Sequence, residues 1–220
     1  MLASLEWAKI RKSIPSGKLF FLGLFFWSLF VGAGLLIVWK YENMPVFETV
    51  PPPAHWPLKN LDYASDRFTL VMLAHPKCPC TRASIGELEQ IMAHGQNKLQ
   101  AYVFFVKPKN FSESWAESDL WKRAEAIPGV KLILDEEGNQ ARYFNGSTSG
   151  QTYLYDSHGE LVFHGGITGS RGHSGDNSGE KAIIQLVNGE KANVKQTFTF
   201  GCLLFSKHPL KGDENVNTTK

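Results

Sequence analysis

Phe68-Thr69-Leu70-Val71-Met72-Leu73-Ala74, running directly into His75-Pro76-Lys77-Cys78-Pro79-Cys80, is the stretch that decides the fold. Seven residues, apolar but for one threonine, read as a strand buried on both faces. The residues after the cysteines change period. Ile85, Leu88, Ile91 and Met92 fall at helical spacing, which predicts a helix over Thr81–Ala93. Cys78 and Cys80 therefore stand at a strand-to-helix turn. The free N–H groups and dipole of a helix start favour a thiolate. A thiolate is both the redox nucleophile and the soft metal ligand, so the motif points to thiol–disulfide chemistry or to a soft metal.

Outward from this point, strands and helices alternate. Leu99–Val106 reads as a second buried strand and Glu113–Ala126 as a helix stopped by Pro128. Val130–Leu134 is a third strand and Glu137–Phe144 a short helix. Thr152–Tyr155 and Glu160–His164 flank the hairpin turn Asp156-Ser157-His158-Gly159, and Gly179–Val187 is the last helix. The order β-α-β-α-β-(α)-β-β-α predicts an α/β fold, a mixed sheet with helices on both faces.

The other end of the chain sets its surroundings. Leu19–Trp39 is an uncharged, Phe- and Leu-rich run of 21 residues, and about 20 such residues span a bilayer as a helix. Lys9, Arg11, Lys12 and Lys18 precede it against Glu6 alone. The positive-inside rule puts residues 1–18 in the cytoplasm and the remainder outside. The run exceeds a signal-peptide core, and Gly32-Ala33-Gly34 lies within it rather than after it. Both features favour an uncleaved anchor over a cleaved leader. Residues 40–60 carry Pro45, Pro51, Pro52, Pro53 and Pro57, the composition of a semi-rigid tether. The folded domain is then 61–206, and 207–220 is a polar tail. A net charge of +2 with no basic stripe beyond the N-terminus argues against nucleic acid. Three cysteines cannot make a structural disulfide framework; they make one pair and a remainder, or three ligands.

The element order, with cysteines between the first core strand and its helix, resembles the thioredoxin-like superfamily. It looks most like the membrane-tethered periplasmic members of bacteria. Gln151-Thr152-Tyr153-Leu154-Tyr155 and Asp156-Ser157-His158-Gly159 are similar to their strand–turn signature. His75 to Cys80, Thr148-Ser149-Gly150-Gln151 and Gly165 to His173 together resemble a small set of bacterial proteins labelled RedB-like. The resemblance implies a thioredoxin-like sheet behind one N-terminal transmembrane helix. It also implies a bacterial inner-membrane protein with a periplasmic domain, whose partners are protein thiols and disulfides. Two departures stand out. One residue, not two, separates Cys78 from Cys80. Ser149, Gly150 and Gln151 stand where the superfamily has its cis-proline loop, with Gly150 in the proline's place.

At the site, Cys78 and Cys80 are the candidate catalytic residues. Pro79 fixes its own φ and pre-sets the turn. A bond within so small a ring is strained and hence easily reduced. Cys202 lies in the apolar run Phe200-Gly201-Cys202-Leu203-Leu204, where the default for a single cysteine is a buried apolar residue. It is also a candidate resolving thiol or third metal ligand. The glycine-rich loop from Gly165 to Ser178 should return over the cysteines, bringing Arg171 and His173 as candidates for tuning the thiolate. A copper-binding or metallochaperone module is the competing reading, with Cys78, Cys80, His75 and His173 as the ligand candidates. A non-catalytic, tethered interaction domain is the third.

Overall fold

The computed structural model describes residues 17–46 and 50–205. The basic residues Lys9, Arg11 and Lys12 and the tail 207–220 lie outside them. Residues Gly17–Glu42 form one helix, α1, a unit separate from the remainder of the chain. At 1.5 Å per residue its 26 residues extend about 39 Å, and its length and apolarity suffice to cross a membrane.

The second unit is built on a five-stranded sheet. Its elements are β1 (Phe68–Ala74), α2 (Pro79–Gly95), β2 (Leu99–Lys107), α3 (Asp119–Glu125), β3 (Val130–Glu136), α4 (Asn139–Tyr143), β4 (Gln151–Tyr155), β5 (Leu161–Gly166) and α5 (Ser178–Val187). The strand order is β3-β2-β1-β4-β5. β2 pairs in parallel with β1 and β3, whereas β4 runs antiparallel to β1 and β5 to β4. The sheet is therefore mixed, as the element order predicts, and β1, the most apolar strand, is at its centre. There both faces exclude water.

Side chains alternate between two cores, as the period of a strand requires. Leu70, Met72, Val103, Phe105 and Leu154 face one side, where they meet α2, α3 and α5. Val71, Leu73, Tyr102, Phe104, Tyr153 and Tyr155 face the other. That second face is covered by the short helix α4 and by the segment Trp56–Leu58. Trp56 stands edge-on to Phe144 and Tyr155, with ring centroids 5.6 and 5.3 Å apart, and its Nε1–H donates to the Leu61 carbonyl at 2.7 Å. Leu58 is only 5% exposed. Upstream, the Leu161 N–H bonds the Ala54 carbonyl, the Tyr155 hydroxyl the Pro53 carbonyl, and Asn145 Nδ2 the Pro51 carbonyl. The prolines over 40–60 imply a semi-rigid tether outside the folded domain. From Pro51 onward the structure corrects this: the segment is docked and forms one wall of the domain. Proline-rich chain has few backbone donors of its own, so here its carbonyls accept from the domain instead.

One helix is also shorter than its periodicity suggests. Glu113–Trp115 is a single 3₁₀ turn, and α3 starts after Ser118, whose hydroxyl accepts from the Trp121 N–H. That cap restarts the helix within the predicted Glu113–Ala126. Beyond α5 the chain returns as a strap along the edge strand β5. The His164 N–H donates to the Lys195 carbonyl at 3.1 Å and the Thr197 N–H to the His164 carbonyl at 3.2 Å.

Candidate functional site

β1 ends at Ala74, and the chain turns on the His75 carbonyl, which accepts from the Cys78 N–H at 3.2 Å and from Thr81 Oγ1 at 3.0 Å. Cys78 is the N-cap of α2, in extended conformation, and Pro79 takes the first helical position, where its missing N–H costs nothing. The Cys78 side chain makes no cap hydrogen bond. The Thr81 N–H donates to the Cys78 carbonyl at 3.1 Å, and the backbone N–H groups of Thr81 and Cys80, at the positive end of the helix, favour a charged Cys78 sulfur.

Cys78 and Cys80 are 3% and 5% exposed. Hydrogen bonding from the Cys80 thiol lowers the Cys78 pKa from 9.0 to about 4. Burial opposes this, and the Cys202 thiol with the two N–H groups adds to it. Cys80 moves the opposite way: the proton it shares with Cys78, then burial, then the Cys78 charge all push it up. Cys202 is raised as well, by burial first and by Cys78 second, against the pull of the Arg171 charge. The three shifts together favour charge on Cys78 over charge on Cys80 or Cys202.

The sequence gives Cys202 no local sign of this role, since 124 residues separate it from Cys78. The structure brings the two sulfurs within 3.1 Å of each other. The strap's C-terminal part is fastened to the loop before β4. The Ser149 N–H donates to the Cys202 carbonyl at 2.9 Å, the Leu204 N–H to the Ser147 carbonyl at 2.8 Å, and Arg171 Nη1 to the Gly201 carbonyl. A side chain at Gly201 would run into the Ser149 carbonyl oxygen, 1.9 Å from its Cβ, so only glycine lets the strap come this close.

The loop itself is held from below. Ser149 Oγ accepts from the His75 N–H at 3.1 Å and lies 2.5 Å from Thr81 Oγ1. The Gly150 N–H donates to the Leu73 carbonyl at 2.7 Å, and Gln151 Oε1 accepts from the Ser147 N–H at 3.0 Å. Gly150 has φ +86°, and a Cβ there would lie 2.7 Å from Ser84 Oγ. No peptide is cis among the described residues. Ser149 and Gly150 therefore stand beside the motif, Gly150 in a conformation that proline, with φ fixed near −65°, does not adopt.

Other candidates lie apart. The His75 ring packs edge-on against Trp115 at 5.6 Å, and its Nδ1 accepts from the Lys77 N–H at 3.2 Å. Burial lowers its pKa. His173 is exposed, with Nδ1 2.8 Å from the Arg171 carbonyl. Among the described residues, the group of metal-ligating side chains that converges is Cys78, Cys80 and Cys202, with sulfurs all within 4.8 Å of one another. The structure thus corrects the histidine ligands expected for a metal: neither His75 nor His173 joins the cluster, and a third sulfur takes their place. Three thiols fit a soft ion such as Cu(I) by donor type. Arg171 donates to the Gly201 carbonyl, and its charge acts on Cys80 and Cys202.

No protein-family model matches the chain, and no curated protein matches it. Solved structures do. An uncharacterized conserved protein from Geobacillus kaustophilus is 19% identical, with a TM-score of 0.52 over 76% of this chain and 96% of its own. A hypothetical protein from Sinorhizobium meliloti is 17% identical, with a TM-score of 0.50 over 74% of this chain and 93% of its own. A SCO1/SenC family lipoprotein from Bacillus anthracis is 13% identical, with a TM-score of 0.44 over 62% of this chain and 95% of its own. The strand order, the antiparallel β4–β5 pair and the thiols at the β1–α2 turn define the fold as thioredoxin-like. The narrower RedB-like resemblance rests on sequence alone.

Proposed function

We propose that this chain is a membrane-anchored thiol–disulfide oxidoreductase of the bacterial inner membrane, its domain on the periplasmic side, acting on protein thiols and disulfides. The observation that carries the reading is the buried Cys78 sulfur at the start of α2 with the Cys202 sulfur 3.1 Å away. A low-pKa thiolate is populated at neutral pH and is a good leaving group, so the Cys78 sulfur can form and release disulfides readily. The extracytoplasmic side, where the basic N-terminus would place the domain, permits disulfides. The test is thiol trapping and mass spectrometry of the full chain in detergent across graded redox buffers. An intramolecular disulfide that includes Cys78 is expected; three free thiols at every potential would refute the reading.

A second reading is favoured by the convergence of three sulfurs: a Cu(I)-binding module. Cys78, Cys80 and Cys202 would hold the ion, which would supply soft-metal transfer or electron chemistry. Anaerobic Cu(I) competition titration of wild type, Cys78→Ser and Cys202→Ser tests it. Affinity falling in both variants supports it, and equal affinity in all three proteins removes it.

A further inference from the structure

Three pairings of the disulfide are open to a three-thiol site, two of them through Cys78, and the geometry separates those two. Cys78 and Cys80 sit two residues apart across the first turn of α2, with Pro79 between them holding φ. Cys78 is the extended N-cap and Cys80 is helical, and a bond between them closes a small, strained ring. Cys202 arrives from a different segment, unconstrained by that turn. Its sulfur already lies 3.1 Å from that of Cys78, and its backbone is fixed on both sides by Ser149, Arg171 and Ser147. Exposure separates the two sulfurs further: Cys78 is buried, and Cys202 is the least buried of the three.

We propose that the working disulfide joins Cys78 to Cys202 rather than to Cys80, and that external thiols enter through Cys202. This rests on the oxidoreductase reading and assigns its chemistry. An incoming protein thiolate attacks the Cys202 sulfur. The Cys78–Cys202 bond breaks, its electron pair leaves on Cys78, and a mixed disulfide forms on Cys202. The substrate's second thiolate then attacks the substrate sulfur of that mixed disulfide, and Cys202 departs and takes a proton. Two electrons pass from the substrate dithiol to the protein, whose Cys78 stays ionised and whose Cys202 stays protonated. Reoxidation takes a disulfide donor, and the reverse sequence reduces a substrate disulfide. Cys80 remains a thiol throughout, donating its hydrogen bond to the departing Cys78.

Trypsin makes the two pairings distinguishable, because Cys78 and Cys80 share the peptide 78–82 and Cys202 lies in 196–207. The full chain in detergent is oxidised with oxidised glutathione, its remaining thiols are alkylated, and it is digested without reductant. The expected result is peptide 78–82 linked to 196–207 in wild type and in Cys80→Ser, with the link lost in Cys78→Ser. Peptide 78–82 lighter by two hydrogens beside alkylated 196–207, or a link surviving in Cys78→Ser, overturns the pairing and leaves the oxidoreductase reading standing. Three alkylated cysteines at every glutathione ratio sink that reading and the pairing together. A brief pulse of reduced glutathione on the oxidised chain, quenched in acid, then locates the entry. An adduct on 196–207 is expected, and an adduct on 78–82 overturns entry through Cys202.

Discussion

Gly201→Ala should detach the strap from the site. The new Cβ would lie 1.9 Å from the Ser149 carbonyl oxygen and 3.0 Å from Thr148 Cγ2, where ordinary contact begins near 3.4 Å. The obstacle is backbone, not the end of a flexible side chain, so the strap itself must retreat by about 1.5 Å. That retreat breaks the bond from the Ser149 N–H to the Cys202 carbonyl and loosens the one from Arg171 to the Gly201 carbonyl. Overpacking costs roughly 1–3 kcal/mol and each lost hydrogen bond about 1 kcal/mol, which gives a destabilisation of about 3 kcal/mol. Urea titration of the reduced full chain in detergent, followed by near-UV circular dichroism, should show a lower midpoint at unchanged slope. In the oxidised chain the fraction linking peptides 78–82 and 196–207 should fall. Gly169→Ala is the control, since a Cβ there meets nothing within 4 Å; it should lie within about 0.5 kcal/mol of wild type. A Gly201→Ala protein with a wild-type midpoint and full cross-linking would refute the claim that close strap–loop contact sets the sulfur geometry.

Other expectations follow from the same geometry. Ultraviolet thiolate absorbance of the reduced protein should titrate one thiol of three near pH 4. Cys80→Ala or Cys202→Ala should each move that midpoint up toward 9.0 by removing a thiol donor, and an unmoved midpoint would show that neither thiol holds the charge. Because the folded Cys78 pKa lies below its unfolded value of 9.0, its contribution to stability is full above 9.0 and is lost as pH falls through about 4. The stability gap between wild type and Cys78→Ser should therefore widen from pH 4 to 9. Above 9.0 it should narrow, because Cys80 and Cys202, with raised folded pKa values, then favour the unfolded chain. Trp56→Ala should destabilise the domain by about 3 kcal/mol, since it opens the wall over Phe144 and Tyr155. A change under about 0.5 kcal/mol in urea unfolding would mean that the proline-rich segment is a tether after all.

The sheet was legible because its signals are local. The continuous apolar runs of β1 and β2 and the helical spacing of Ile85, Leu88, Ile91 and Met92 survive into the two cores as read. The dithiol was legible for the same reason: a strand, a turn and a helix start follow one another in fifteen residues. What stayed hidden depends on contacts distant in the chain. Cys202 is drawn to Cys78 by the fit of Gly201 under Ser149, and nothing in Phe200-Gly201-Cys202 says which loop it meets. Proline composition likewise describes how residues 40–60 move when free. It is silent on the cavity between Tyr155 and Phe144 that Trp56 fills, although the two large apolar residues Trp56 and Leu58 among the prolines were the available hint.

The strap along β5 also bears on how molecules of this protein meet one another. β5 ends the sheet on one side, and an end strand offers its free N–H and C=O groups to any passing chain. Here the strap occupies some of those positions: it bonds both the N–H and the carbonyl of His164, and Thr197 Oγ1 donates to the Gly166 carbonyl at 2.7 Å. The segment that carries Cys202 to its partner is therefore also a guard against edge-to-edge self-association. Loss of the strap would blunt the chemistry and uncover a template for aggregation in the same event.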